Sequence, residues 1–179
     1  MAVSIKDTYK SEVVPEMMKR FGYKNIHMVP KLEKIVLNCG ISTLRERDVL
    51  TEATNMLTTI TGQKAVATLA RRSVAGFKIR DGQAIGTKVT LRNQVMYDFV
   101  VRLIHNALPR VRDFRGIKTS GFDGFGNYTM GVTDQSIFTE IDLDKMKHTI
   151  GMNISFVTSA KSDEEGRALL ELLGMPFAK

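Results

Sequence analysis

The sequence alternates between two hydrophobic periodicities, and this alternation limits the folds it can adopt. In some stretches an apolar residue stands at every second position, as at Ile35, Leu37 and Cys39 or at Ile154 and Phe156. A period of two is typical of a β-strand with one buried face. The pattern therefore predicts strands at 31–40, 85–92 and 152–159, with shorter ones at 63–69 and 127–132.

Other stretches carry apolar residues at every third or fourth position, which is typical of amphipathic helices. They predict helices at 4–21, 45–61, 93–108 and 162–173, each followed directly by glycine or proline. Asn93 is predicted to cap the third helix, and Ser162 with Glu165 forms a capping box for the fourth. Pro15 predicts a break within the first helix.

Helices and strands in this order, with short connections, favour an α+β fold. We expect a single domain over residues 1–179, because 179 residues with 43% hydrophobic content can bury a sizeable core. Its centre is predicted to be an antiparallel or mixed β-sheet with helices packed on one face. Two extended loops, at 70–84 and 109–127, are expected to protrude.

Positive charge is concentrated in one part of the chain. Residues 71–92 hold six basic residues and one acidic residue, and residues 71–118 hold eleven and three. The whole chain carries only +7, so the remainder is close to neutral. One basic region of this kind is typical of a protein that binds a polyanion.

Within this region, Gly76 and Gly82 bracket the sequence FKIRD. Glycines able to take positive φ at both ends would project Phe77, Lys78 and Arg80 outward, where an aromatic face and two cations suit RNA. An alternative stays open, in which Phe77 anchors the loop in the core. In the strand that follows, Lys88, Thr90 and Arg92 alternate with an apolar row and therefore lie on the opposite, open face of the sheet. This face is predicted to bind RNA as well.

Features of other classes of protein are weak. No apolar run is long enough to span a bilayer, the N-terminus lacks the pattern of a signal peptide, and Cys39 has no partner for a disulfide. We therefore expect an intracellular protein without metal or cofactor and without catalytic residues. The alternative is an RNA-directed enzyme that binds a metal through Glu140, Asp142 and Asp144. A DNA-binding module is disfavoured because no helix is basic on one side and apolar on the other.

Four motifs in one order, RRSVAGFKIRDGQAIGTKVTLR, PRVRDFRG, FDGFGNYTMGV and AKSDEEGRALL, resemble the bacterial family of 5S-rRNA-binding proteins of the large ribosomal subunit. The similarity covers nearly the whole chain. It implies a cytoplasmic structural protein of the central protuberance that fastens 5S rRNA to the subunit, next to 23S rRNA and neighbouring proteins. The rRNA-binding residues implied are Lys34, Asn38, Gln63, Arg71, Arg72, Lys88, Thr90 and Arg92.

The same resemblance implies two further contacts. The loop at 73–80 is expected to reach P-site tRNA through Ser73, Gly76, Phe77, Lys78 and Arg80. Loops after the third helix are expected to bridge to a protein of the small-subunit head, and the residues implied are Arg110, Arg112, Asp113, Arg115, Asp142 and Asp144.

Overall fold

The computed structural model describes residues 5–42, 47–142 and 146–178 and confirms the α+β class. Its described part contains a five-stranded antiparallel sheet in the order β2-β3-β1-β5-β4. The strands are β1 Leu32–Gly40, β2 Val66–Leu69, β3 Ala84–Leu91, β4 Tyr128–Val132 and β5 Met152–Thr158. All five lie within or close to the predicted stretches.

The helices also follow the predicted stretches. They are α1 Ile5–Thr8, α2 Val14–Phe21, α3 Arg47–Thr61, α4 Asn93–Arg102 and α5 Asp163–Leu172. A π-helical turn, Tyr9–Val13, joins α1 to α2, and a second one, Leu103–Ala107, extends α4. The predicted starts at residues 4 and 45 lie outside the described residues. None of the helices in the described ranges combines the length and hydropathy that a bilayer crossing requires.

Helix ends show which local predictions hold. Ser162 Oγ accepts the N–H of Glu165 at 3.4 Å, so Ser162 caps α5 as predicted. The prediction for Asn93 was wrong: Arg92 is the extended residue before α4, and Asn93 is the first helical residue, with φ of 55°. Asparagine tolerates this left-handed conformation better than most residues, which explains its place at the turn. Pro15 lies in the first turn of α2, directly after the π-helical turn Tyr9–Val13, so the predicted break coincides with a change of helix type.

The chain divides into two compact units. The first comprises Met1–Ile35, Leu91–Met130 and Ser155–Lys179, and the second comprises Val36–Thr90 and Gly131–Ile154. The expectation of a single domain over residues 1–179 stays a prediction.

The first unit contains an aromatic cluster around Tyr128. Its ring lies 4.8 Å from that of Phe122, 5.3 Å from that of Phe177 and 6.3 Å from that of Phe156, between centroids. The buried Tyr128 hydroxyl donates to the Lys118 carbonyl at 2.6 Å. Burial raises the pKa of Tyr128 to about 12, so this hydroxyl stays a donor at neutral pH.

The core of the second unit forms where β1 buries Leu37 and Cys39 and α3 buries Val49, Ala53 and Leu57. Cys39 is completely inaccessible, as its place in the alternating apolar row of β1 predicts. Burial raises the pKa of its thiol to about 12. The thiol is therefore neutral and packs as a small apolar group.

A polar network in the second unit fixes the segment before β5 to α3. Oε1 of Glu52 accepts the N–H of Lys147 at 2.6 Å and of His148 at 3.3 Å, and Nδ1 of His148 lies 2.9 Å from Oε2. The buried Gln135 side chain donates to the His148 carbonyl and accepts the N–H of Ile150. Burial tends to raise the pKa of Glu52, but the hydrogen bonds from the His148 ring and the two N–H groups outweigh it and lower that pKa.

We expect Glu52→Gln to lower the free energy of unfolding by about 1.5–3 kcal/mol at pH 7, the usual range for hydrogen bonds to a charged group. Because folding lowers the pKa of Glu52, its contribution is complete above its ordinary pKa of 4.5 and is lost as the pH falls through the lower value of the folded state. Urea unfolding of the wild type and of Glu52→Gln at pH 7 and pH 3 measures this difference in stability. The exposed Glu33 provides a control, Glu33→Gln. A difference between wild type and Glu52→Gln that does not shrink at pH 3 would contradict the ionic role.

Candidate nucleic-acid interface

The alternation in β3 separates its core residues from its polar ones, as predicted. Thr87, Val89 and Leu91 are buried, whereas Lys88 is exposed and Thr90 is half-buried. Because successive side chains point to opposite faces, Lys88 and Thr90 share the open face of the sheet. Arg92 follows directly after β3 and is exposed.

The remaining predicted residues of the sheet are polar side chains that solvent reaches partly. Lys34 and Asn38 are half-buried on the face of β1 opposite to Ile35, Leu37 and Cys39. Gln63, also half-buried, lies two residues after the end of α3. Lys34 and Arg92 belong to the first unit, whereas Asn38, Gln63, Lys88 and Thr90 belong to the second.

Between β2 and β3 the chain forms a small hairpin, here called the basic hairpin (residues 70–83). Val74 and Ile79 exchange two backbone hydrogen bonds of 2.9 and 3.1 Å. At the base of the hairpin, the N–H of Ala70 donates to the Gln83 carbonyl, and the Ala70 carbonyl accepts the N–H of Gly82. Ser73 Oγ accepts the N–H of Asp81, and Gln83 Oε1 accepts the N–H of Arg80. The segment predicted as a protruding loop is therefore cross-linked by its own polar groups.

The tip of the basic hairpin differs from the predicted geometry. Gly82 has φ of 75°, as expected, but Gly76 lies within a 3₁₀ turn, Ala75–Phe77, and does not have positive φ. Lys78 takes the left-handed conformation instead, with φ of 52°. The turn ends at Lys78, and a chain that reverses between Val74 and Ile79 needs its left-handed residue at that end.

The surface of the basic hairpin combines cations with an aromatic ring. Phe77 is 72% exposed, so of the two open interpretations the core anchor is wrong. The predicted contact residues on the hairpin are all exposed, namely Arg71, Arg72, Ser73, Gly76, Phe77, Lys78 and Arg80. The structure thus brings four cations and one aromatic ring together on a short, hydrogen-bonded element.

The sequence did not reveal that apolar side chains adjoin this basic surface. On the edge strand β2, Val66 and Leu69 are each 59% exposed, and Val66 is the register partner of Lys88. A short run of apolar residues predicts a strand equally well in the middle of a sheet or at its edge. The sequence therefore did not indicate that β2 lies at the edge of the sheet.

The predicted bridge residues lie in two separate parts of the chain. Arg110, Arg112, Asp113 and Arg115 are exposed in the segment after α4, in the first unit. Asp142 is exposed in the second unit, and Asp144 lies outside the described residues.

The acidic stretch considered as a metal site includes Glu140, Asp142 and Asp144. In the ranges 5–42, 47–142 and 146–178, no group of three or more His, Cys, Asp or Glu side chains is arranged to hold a metal ion.

Comparison with known proteins gives consistent matches. The family model for ribosomal protein L5 matches residues 25–80, and the model for the C-terminus of the same ribosomal family matches residues 84–177. The large ribosomal subunit protein uL5 of Caldanaerobacter subterraneus subsp. tengcongensis is 56% identical over 176 residues, which are 98% of this chain and 98% of its own length. The protein of the same name from Fervidobacterium nodosum is 53% identical over 178 residues, 99% of this chain and 97% of its own length.

A match along nearly the whole chain to both models places the protein among the ribosomal proteins, which are structural components. Within that class, the chain belongs to the ribosomal protein L5 family. This family is not enzymatic, so the alternative of an RNA-directed enzyme is wrong.

The different backbone conformations of Gly82 and Gly76 provide a matched pair of variants. We expect Gly82→Ala to destabilise the basic hairpin by about 1–2 kcal/mol, because a Cβ is strained at φ of 75°. Gly76→Ala should be close to neutral, since its φ is not positive and nothing lies within 4 Å of an added Cβ. Amide hydrogen exchange at Ala70 and Ile79, whose N–H groups close the hairpin, measures its opening. Equal protection in the two variants would contradict this assignment.

Proposed function

We propose that this chain is a structural protein of the large ribosomal subunit in the cytoplasm, where it binds 5S rRNA through the open face of its sheet. The observation that carries the proposal is the exposure of Lys88 beside Thr90, opposite a fully buried row in the same strand. The lysine ammonium can pair with a phosphate and the threonine hydroxyl can hydrogen-bond to a 2′-hydroxyl, so this face suits the backbone of structured RNA. In this role the chain attaches 5S rRNA to 23S rRNA and to neighbouring proteins in the central protuberance.

The other polar residues of the predicted set extend this role. Lys34, Asn38, Gln63 and Arg92 add a donor or an amide on or next to strands of the same sheet. Arg71 and Arg72 follow β2 at the base of the basic hairpin and contribute positive charge. Such contacts act mainly through phosphate neutralisation, which makes binding strong at low salt and weak at high salt.

The tip of the basic hairpin is proposed to contact P-site tRNA. Phe77 offers a ring for stacking, and Lys78 and Arg80 offer cations beside it. Base–aromatic stacking contributes on the order of 1–3 kcal/mol, a strength compatible with a ligand that arrives and leaves in each cycle. The hydrogen bonds within the hairpin reduce the entropy lost when it binds.

The exposed segment 110–115 is proposed to meet a protein of the small-subunit head, with Asp142 and Asp144 as further contacts. It presents Arg110, Arg112 and Arg115 beside Asp113, so both signs of charge are available. Exposed charges at the rim of an interface mainly steer encounter and set specificity, and this suits a contact between two moving subunits.

We expect Lys88→Ala combined with Arg92→Ala to weaken binding of 5S rRNA and to flatten its dependence on salt. Removal of one phosphate contact should lower the slope of log K against log salt by roughly 0.7–0.9. Filter binding of purified 5S rRNA across a range of KCl concentrations measures the slope. Lys19→Ala on the exposed side of α2 is the control and should leave the slope unchanged. If the double variant retains the wild-type slope, the sheet face does not carry the RNA.

A second variant separates the two proposed RNA surfaces. Phe77→Ala, Lys78→Ala and Arg80→Ala together should leave 5S rRNA binding and subunit assembly unchanged, because these side chains lie at the tip of the hairpin. P-site tRNA should dissociate faster from ribosomes that carry the variant. Assembly is measured by sedimentation, and the dissociation rate by release of labelled tRNA. Loss of 5S rRNA with a normal tRNA dissociation rate would mean that the two surfaces are assigned the wrong way round.

A further inference from the structure

A second exposed aromatic residue lies far from the basic hairpin in sequence, in a tight loop of the first unit. Phe125 is 74% exposed, between Gly124 and Gly126 in the loop before β4. It takes no part in the proposed contacts with 5S rRNA, tRNA or the small subunit. A large apolar side chain exposed to this extent is a candidate contact point.

The loop that presents Phe125 is held by two carboxylates. Asp163, at the start of α5, accepts the N–H of Gly124 at 3.1 Å and of Gly126 at 2.9 Å, one with each oxygen. Asp123 accepts the N–H groups of Phe125 and Asn127 at 2.9 and 3.1 Å, and the Asn127 side chain at 2.8 Å. These hydrogen bonds lower the pKa of Asp123, so it stays ionised at neutral pH. The backbone on both sides of the ring is therefore fixed.

Close packing beneath the loop adds to this order. Gly126 has φ of 79°, and a Cβ there would meet the Ala160 Cβ at 2.7 Å and the Ser162 carbonyl at 2.8 Å. The carbonyl of Gly126 packs directly on Gly166 in the first turns of α5. An exposed aromatic on a backbone fixed in this way loses little entropy when it binds, which is the behaviour of an interface anchor.

The charge around Phe125 selects the kind of partner. The loop 121–127 and the adjoining segment 160–166 contain four acidic residues, Asp123, Asp163, Glu164 and Glu165, and one basic residue, Lys161. A local excess of negative charge repels the phosphates of RNA and attracts a basic protein surface. This is the opposite of the surroundings of Phe77.

We propose that Phe125 is an anchor for a neighbouring protein of the large subunit, inserted into an apolar pocket with a basic rim. The acidic residues beside the ring face that rim, and the fixed loop holds the ring in position. The proposal rests on the proposed assembly of this chain into the large subunit. It adds a protein contact to that function and leaves the RNA contacts unchanged.

Photo-crosslinking from the ring position tests the proposal. Large subunits are purified from cells in which p-benzoylphenylalanine replaces Phe125, irradiated, and treated with ribonuclease before the adducts are identified by mass spectrometry. We expect one main adduct that ribonuclease does not shorten, joined to a ribosomal protein at a site with apolar residues flanked by Lys or Arg. An adduct with RNA, or no adduct in subunits that contain the protein in full amount, would overturn the proposal.

Charge reversal tests the basic rim. Glu164→Lys, on the exposed first turn of α5, should lower the yield of the protein adduct several-fold. The matched control is Glu16→Lys, because Glu16 is likewise an exposed acidic residue in the first turn of a helix, α2. Equal yields in the two variants would overturn the charge argument. Sedimentation of each variant with the large subunit is measured first, so a failure of assembly, which concerns the proposed function, is distinguished from a failure of the anchor.

Discussion

The orientation of β3 is the constraint on which the candidate interface depends. Burying an aliphatic side chain such as Val89 contributes roughly 1.5–3 kcal/mol, whereas burying an unpaired ammonium group costs far more. A shift of one residue in register would bury Lys88 and expose Val89. The gain from burying Val89 and the cost of burying Lys88 therefore both favour the observed register. The strand that completes the core therefore also determines which cations face solvent. Stability and RNA binding are linked in one stretch of sequence, because each depends on the same alternation.

The sequence predicted those parts of the fold that depend on local periodicity. The strands, the cap at Ser162 and the buried thiol of Cys39 were all correct, because each follows from neighbouring residues. The left-handed residue of the basic hairpin was misassigned to Gly76, since glycine composition alone does not show where the chain reverses. The contact between Glu52 and His148 joins residues far apart in sequence, and no local pattern marks such a pair. For the candidate interface, the sequence predicted which polar and basic residues are accessible to solvent. It did not predict the exposure of Val66, because that exposure depends on the position of β2 at the edge of the sheet.

The two exposed aromatic residues are supported in different ways. Phe77 lies on a hairpin closed by backbone hydrogen bonds among cationic side chains, whereas Phe125 lies on a loop held by carboxylates. The groups that order the two loops differ in charge. In the hairpin, backbone groups and the neutral side chains of Ser73 and Gln83 make the cross-links, so the cations remain available for phosphate. In the loop at 121–127, the anions that hold the backbone create a negative potential around the ring. Similar side chains thus acquire opposite preferences for their partners.

The burial of Cys39 has a practical consequence for work on this family member. The chain has one cysteine, and its thiol is neutral and inaccessible, so a maleimide reagent has no target in the native protein. A fluorophore or spin label can therefore be attached to a cysteine introduced at a loop tip without removing a native one first. The native thiol is useful in its own right. Its rate of labelling under mild conditions reports how often β1 separates from the core, which gives a direct measure of local opening before the protein meets RNA.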